Sequence, residues 1–307
     1  TRLMRISRKQ LRETIKEITR KHLSLGSKCY GQCLTAVGWV GGTLPELYEE
    51  DGMVELSMAD VAGGGIVVGA ALAGERPFYV VRYQGFQWFN SPIIANYAMK
   101  SKEIWKRPCP LLVRSIAMEG GIGPVAGSSH HSIYQRMPNV KILSPMTPKE
   151  YEFSYEQFMK DDDVYYISEH RKSYDNNKEL DNTIYPTAPI TLFPISITRF
   201  AAEEAKERLE KEGLRVNIIH QLWIKPFIFH KEWQTALNNS THGGIIIDDD
   251  YEEGVASSIA HTMMMKSNKK VRTFCLEHRT AGFHPSVDIL PPSADQIYNK
   301  VKEVCGV

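Results

Sequence analysis

A single carboxylate, Asp60, stands before three glycines and a small, apolar run in the stretch 54–100, which goes on to an aromatic cluster holding Tyr83, Phe86, Trp88 and Phe89. Each residue type there has a chemical use. A carboxylate holds or accepts a proton, and glycines admit close backbone approach, while the aromatic Phe86 also suits a core position at a strand end. A second group lies in the glycine-rich loop MEGGIGPVAGSSHHS (118–132), which ends in the adjacent histidines His130 and His131. A neutral imidazole donates, accepts or relays a proton near pH 7. Plainer roles stay open for both groups. Asp60 suits the N-cap of a helix over 61–73, and the two histidines suit a surface turn.

The elements that position these residues follow from the hydrophobic pattern. Residues 60–73 predict a helix packed closely against a sheet, ended by Gly74, with Arg76-Pro77 opening a strand at 78–83. A helix over 90–104, a strand over 110–116, a strand over 141–143, a helix starting at Pro148 and a strand over 164–168 come next. Residues 23–45 are apolar and glycine-punctuated and leave strand and loop undecided. Short apolar strands alternating with helices predict an α/β fold with a parallel sheet covered on both faces.

The polar segment 172–189 reads as a linker. The expected division is a first domain over 1–175, a linker over 176–189 and a second α/β domain over 190–307. The second should hold helix 201–212 capped by Gly213, strand 215–219, strand 244–248, helix 253–266, strand 271–276 and a last helix over 293–304. Trp223–Phe229 contains Pro226 and reads as loop. The acidic runs Asp161–Asp163 and Asp248–Asp250 suit a solvated turn and a capping or interface role, since neither has the spacing of a calcium loop.

The totals exclude several classes. With 37 basic and 36 acidic residues among 307, the formal charge is +1, which gives no reason to expect nucleic acid or an anionic membrane as partner. The basic segment 1–22 carries Leu3, Ile6, Leu11, Ile15 and Ile18 at helical spacing and predicts a surface helix rather than a targeting peptide. No apolar run approaches the ~20 residues that cross a bilayer. Five scattered cysteines imply free thiols and a cytoplasmic location. The familiar nucleotide, zinc-protease and serine-hydrolase motifs are absent.

Several segments together carry a resemblance. GGGIVVGAALAGERPFYVV, then Asn96, Ala98 and Lys100, SSHHS, MPNVKILSPMTPKEY, VYYISEHRKSYD, ITRFAAEEAKERLEKEGLRVNII and GGIIIDDDYEEGVASSIA span nearly the whole chain, more loosely before residue 50. They resemble the beta subunit of the thiamine-diphosphate-dependent first component of 2-oxo acid dehydrogenases, and the related C-terminal half of split transketolases. The resemblance implies a pyrimidine-binding domain followed by a transketolase C-terminal-like domain. In that family a glutamate five residues before a glycine-isoleucine pair bonds N1′ of the cofactor's aminopyrimidine. Counting back from Gly65-Ile66 gives Asp60, one methylene shorter; Glu55, the only nearby glutamate, has the wrong spacing.

The resemblance further implies that Phe86 stacks on the aminopyrimidine, with Tyr83 and Gly85 beside it, and that His130 or His131 stands near the substrate carbonyl. Two departures accompany it: residues 31–34 read GQCL where the family has an acidic motif, and Pro92 stands where an aspartate is expected. The Gly-Asp-Gly segment that holds magnesium and diphosphate is missing, so this chain supplies no metal ligand. The implied arrangement is a heterotetramer in which an alpha-type subunit holds Mg2+ and each thiamine diphosphate is shared between unlike chains. The implied chemistry cleaves or forms a carbon–carbon bond beside a carbonyl: 2-oxo acid decarboxylation first, transketolase-like ketol transfer second. A partner that kept the fold and lost the catalysis is the third possibility.

Overall fold

The computed structural model describes residues 9–119, 127–278 and 290–307. The expected helical residues Leu3 and Ile6, and most of the glycines in loop 118–132, lie outside them. The chain divides into two compact units, the first over residues 9–118 and 127–179, the second over residue 119 and residues 180–278 and 290–307.

In the first unit, strands β1 (Cys29–Gly31), β2 (Met53–Glu55), β3 (Phe78–Val81), β4 (Leu112–Ala117), β5 (Val140–Leu143) and β6 (Val164–His170) are arranged in the order β2-β1-β3-β4-β6-β5. Every neighbouring pair is parallel. β3, β4 and β6 are buried along their length, so their apolar residues do not alternate with exposed polar ones, and Arg114 in β4 and Glu169 in β6 are buried among them. Helix α1 (Leu11–Ser24) buries Leu11, Ile15 and Ile18. Helix α2 (Asp60–Leu72) runs between β2 and β3, and Gly74 behind it takes φ +106°, which only glycine adopts without strain. Arg76 then anchors the entry to β3. Its guanidinium donates to the carbonyls of Phe158 and Asp161, at the end of the helix that starts at Pro148, and to the Asp162 carboxylate.

The glycines of α2 divide by direction. A Cβ on Gly63 would lie 3.4 Å from the Tyr79 hydroxyl and one on Gly64 would lie 3.3 Å from Asn90 Cβ, whereas one on Gly65 would meet nothing within 4 Å. Two glycines therefore admit the sheet and helix α3 (Gln87–Ile93), and the third faces outward.

The predicted helix over 90–104 is broken. α3 carries Pro92, which has no N–H to give and crowds the preceding turn, and Ile94–Ala98 opens into a π turn closed by the Met99 N–H on the Ile94 carbonyl. Residues left undecided by the sequence, Val37–Gly41, form a turn with φ between +50° and +64° throughout. Helix α4 (Pro148–Lys160) starts at the predicted proline, with Thr147 Oγ1 accepting from the Glu150 N–H.

The second unit has strands β7 (Thr191–Pro194), β8 (Asn217–Ile218), β9 (Trp223–Lys225), β10 (Gly244–Tyr251) and β11 (Val271–Leu276). Four of them form a parallel sheet ordered β11-β10-β7-β8. Helices α5 (Thr198–Lys211), α6 (Lys231–Asn239), α7 (Val255–Ser267) and α8 (Ala294–Cys305) accompany it. Trp223–Lys225 is strand where loop was expected; Pro226 marks only its end, since the missing N–H stops the ladder there. A core of Leu192, Ala202, Ala205, Ile218, Ile245, Ile247 and Val301 joins α5 and α8 to the sheet.

The run Asp161–Asp163 is not a simple solvated turn. Lys141 bridges Asp161 and Asp163, with Lys102 also on Asp163. Asp248, Asp249 and Asp250 are buried; Asp248 and Asp250 accept from the next residue's N–H, and Asp249 from Ser196. All five cysteines are free thiols. Among the described residues no helix is long and apolar enough to cross a membrane.

Candidate functional site

Helix α2 starts at Asp60 itself, with Ala59 at the cap position and no side chain closing the first turn. The capping role that the sequence left open for Asp60 is therefore not taken up. Among the described residues its carboxylate has no hydrogen-bond or ion-pair partner, and it lines a cavity of about 170 Å³ inside the first unit. The walls are Gln32 and Cys33 after β1, Met58 before α2, and Tyr79, Val80, Val81, Arg82, Tyr83 and Phe86 along and after β3. The nearby glutamate, Glu55, is committed elsewhere, its Oε1 accepting from both the N–H and the hydroxyl of Thr35.

The cavity is largely apolar with one acid on its wall. Burial pushes the Tyr79 phenol up to about 12, against the hydrogen bond from Asn90, and the negative charge of Asp60 adds to the rise. Phe86 meets Tyr83 edge-on at a ring separation of 5.3 Å, and no described ring lies face to face with it. Gly85 is buried in the turn Gln84–Phe86, behind the wall.

His130 and His131 do not line this cavity. They connect to it through Gln84, a residue the sequence reading passed over. Gln84 is fully buried. Its Oε1 accepts from the His130 N–H at 2.6 Å and from the Tyr166 hydroxyl, and its amide nitrogen donates to the Ser115 and Glu169 carbonyls and to Ser168 Oγ. His131 Nδ1 lies 3.1 Å from the same Ser168 Oγ. On the His130 ring, Nδ1 accepts from Trp88 Nε1, so Nε2 carries the proton and donates to the Gly127 carbonyl at 3.1 Å. Gln84 thus fixes where the histidine segment runs while Tyr83 and Phe86, on either side, face the cavity. A polar residue between aromatics at a strand end was the only sequence signal for it.

This arrangement sets apolar wall from Phe86, Val80 and Val81 beside a single acid, Asp60. A carboxylate with no partner among the described residues, on the wall of a cavity of that size, is a group a ligand could engage rather than one held in packing.

Comparison with known proteins bears on the same region. The family model for the transketolase pyrimidine-binding domain matches residues 37–176. The chain is 26% identical over 239 residues to the 2-oxoisovalerate dehydrogenase subunit beta of Bacillus subtilis, covering 71% of each. It is 22% identical over 289 residues to the acetoin:2,6-dichlorophenolindophenol oxidoreductase subunit beta of Cupriavidus necator, covering 85% of this chain and 83% of that one. In structure it is similar to a split-gene transketolase solved as an inactive beta4 tetramer, with a TM-score of 0.71 and 14% identity over 97% of this chain and 98% of that chain. Campylobacter jejuni transketolase gives a TM-score of 0.72 at 16% identity, covering 96% of this chain and 46% of that one.

Proposed function

We propose, from the premise that residues 37–176 are a transketolase-type pyrimidine-binding domain, that this chain is the beta-type subunit of a two-component thiamine-diphosphate enzyme. Its proposed reaction acts on a carbon–carbon bond next to a carbonyl, with decarboxylation of a 2-oxo acid as the first reading. The observation that carries the proposal is Asp60, a carboxylate without a partner among the described residues, on the wall of a cavity shared with Tyr83 and Phe86.

Thiamine diphosphate, when bound, supplies the nucleophilic carbon and the electron sink for the cleavage. This chain's part is placement and one proton. Asp60 would hold a proton at a ring nitrogen of the aminopyrimidine, Phe86 would stack on that ring, and the apolar walls would exclude water from it. His130 and His131, set by Gln84 and Ser168, are the groups this chain offers to a substrate carbonyl. The diphosphate and Mg2+ fall to an alpha-type partner, because this chain has no Gly-Asp-Gly segment. A two-alpha, two-beta assembly in the cytoplasm completes the proposal.

Ketol transfer is the second reading, favoured by the likeness to the split-gene transketolase across nearly all of both chains. The two divide on substrate: a 2-oxo acid should yield carbon dioxide and reduce an artificial electron acceptor, whereas a sugar phosphate should exchange its ketol group. Asp60→Ala in the reconstituted assembly should lower turnover by roughly 10²–10⁴-fold, the usual range for one general acid–base group. Turnover equal to that of the unmodified assembly would remove Asp60 from the chemistry. Asp60→Glu tests the missing methylene. If the shorter acid is tuned to its ligand, the longer one should lower the rate as well.

A further inference from the structure

The Asp60 cavity carries a second charge. Arg82, just past the end of β3, lies on its wall, and the Arg82 Nε–H is shielded from solvent with no hydrogen-bond partner. Neither an ion pair nor a hydrogen bond engages any part of its guanidinium among the described residues; only the Tyr83 ring is near, 5.9 Å from Cζ. A buried N–H left without an acceptor costs about 1–3 kcal/mol, more when the group is charged, so such groups ordinarily have partners. The acid on the same wall does not serve as one, for Asp60 and Arg82 form no ion pair with each other. Two opposite charges therefore share one small, mainly apolar cavity and leave each other free.

We infer that Arg82 is a specificity-determining residue of this cavity, recognising the carboxylate of a substrate that binds beside the ring held by Asp60. The inference deepens the function proposed above and rests on it for the identity of the pocket. The chemistry is complementary at both ends. A ring with a hydrogen-bond donor or a protonated nitrogen satisfies Asp60, and an anionic oxygen satisfies the Arg82 N–H in a charge-assisted hydrogen bond. A carboxylate next to a carbonyl suits the guanidinium's planar fork, which a lysine ammonium reproduces in charge but not in shape. A neutral dicarbonyl of the same size would leave the N–H without its anion. Arg82 thereby sets a preference for acids over neutral ketones. It transfers no proton and forms no bond.

The test uses the full chain assembled with its alpha-type partner and reads equilibrium binding by calorimetry, apart from turnover. Three probes are titrated: thiamine diphosphate, pyruvate as the carboxylate probe, and 2,3-butanedione as its neutral counterpart. Arg82→Gln should weaken pyruvate binding roughly tenfold or more while butanedione and thiamine diphosphate stay within about twofold. Arg82→Lys, which keeps the charge and guards against a folding defect, should fall between the two, and its pyruvate affinity should drop as salt is raised. The inference is overturned if the unmodified assembly does not bind pyruvate. It is equally overturned if Arg82→Gln leaves pyruvate binding unchanged, lowers butanedione binding as much, or lowers thiamine diphosphate binding as much, which would make Arg82 a cofactor contact. Arg82-dependent pyruvate binding in an assembly that does not take up thiamine diphosphate would sustain the inference and refute the proposed function.

Discussion

Two carboxylates of the first unit are treated in opposite ways. Glu169, in β6, is buried and takes four donors: Arg114 Nε at 2.8 Å and the Tyr151 hydroxyl at 2.8 Å on Oε2, Arg114 Nη2 at 2.9 Å and the Tyr174 hydroxyl at 2.7 Å on Oε1. Asp60, at the head of α2, takes none among the described residues. Burial alone would drive Arg114 toward neutrality, but the Glu169 charge overrides it and holds the guanidinium well above its ordinary pKa. The first carboxylate is consumed in joining β4, β6, α4 and the turn after β6. The second is left available. The difference separates a carboxylate committed to structure from one that, among the described residues, no protein group engages.

That contrast breaks first at Glu169. Glu169→Ala should destabilise the chain by about 3–5 kcal/mol, because it strands the Arg114 charge and two tyrosine hydroxyls in the interior. The measurement is urea unfolding at pH 7. Replacing both partners, with Arg114→Met and Glu169→Leu, should recover part of the loss, since no bare charge then remains. Asp60→Ala in the same assay should cost under about 1 kcal/mol, the value of an acid in the first turn of a helix. An Asp60 variant as unstable as the Glu169 one would mean that the two sites do not differ as described.

The legibility of these two sites in the sequence also differed. Asp60, Tyr83 and Phe86 fall within one short stretch whose spacing carries the resemblance, and the structure brings all three to one cavity. Arg82 and Gln84 sit among them without any periodic signal, and the partners of Gln84 lie up to 85 positions away in sequence. The Arg114–Glu169 pair was invisible for the same reason: a charged residue inside an apolar strand gives no sign of its partner 55 residues on. Helix starts with local chemistry, such as Pro148 behind Thr147, were readable within a residue. Helix α6, with only Ala236 and Leu237 buried, has too thin an apolar face to announce itself. The left-handed turn at Val37–Gly41 places Val37, Trp39 and Val40 at positive φ, where propensity argues against them.

Acid sharpens the comparison from another side. His22 of α1 stacks on Phe78 at 4.0 Å, its Nε2–H donates to the Arg76 carbonyl at 2.6 Å, and its Nδ1 accepts from the Tyr155 hydroxyl at 3.0 Å. Burial lowers its pKa to about 4 from an ordinary value of 6.5. The unfolded chain therefore takes up the proton first as pH falls. The stability due to a neutral His22 is whole above pH 6.5, erodes as pH drops toward 4, and amounts to on the order of 3 kcal/mol. His170, lowered by burial to about 3, acts in the same direction. Unfolding free energies measured at pH 7, 5.5 and 4.5 should show this slope, and His22→Gln should flatten it. An unchanged slope in that variant would place the acid sensitivity elsewhere. The Asp60 cavity holds no histidine, so its ligand binding should not follow the same curve.

The smallest effect concerns the helix that carries Asp60. Gly64 and Gly65 are neighbours of the same type, and in an isolated helix each would cost about 1 kcal/mol relative to alanine. Only Gly64 meets a wall, Asn90 Cβ at 3.3 Å and the Asn90 carbonyl at 3.5 Å from an added methyl. Asn90 holds the Tyr79 hydroxyl on the cavity floor, so α3 cannot yield there without moving the site. Gly65→Ala should stabilise the chain by about 0.4–1 kcal/mol through the unfolded state. Gly64→Ala should lose that gain to the steric clash, ending neutral or up to about 1 kcal/mol worse, with weaker cofactor binding than Gly65→Ala. Equal stability and equal binding in the two variants would mean that the glycine run serves helix flexibility rather than close approach to the Asp60 site.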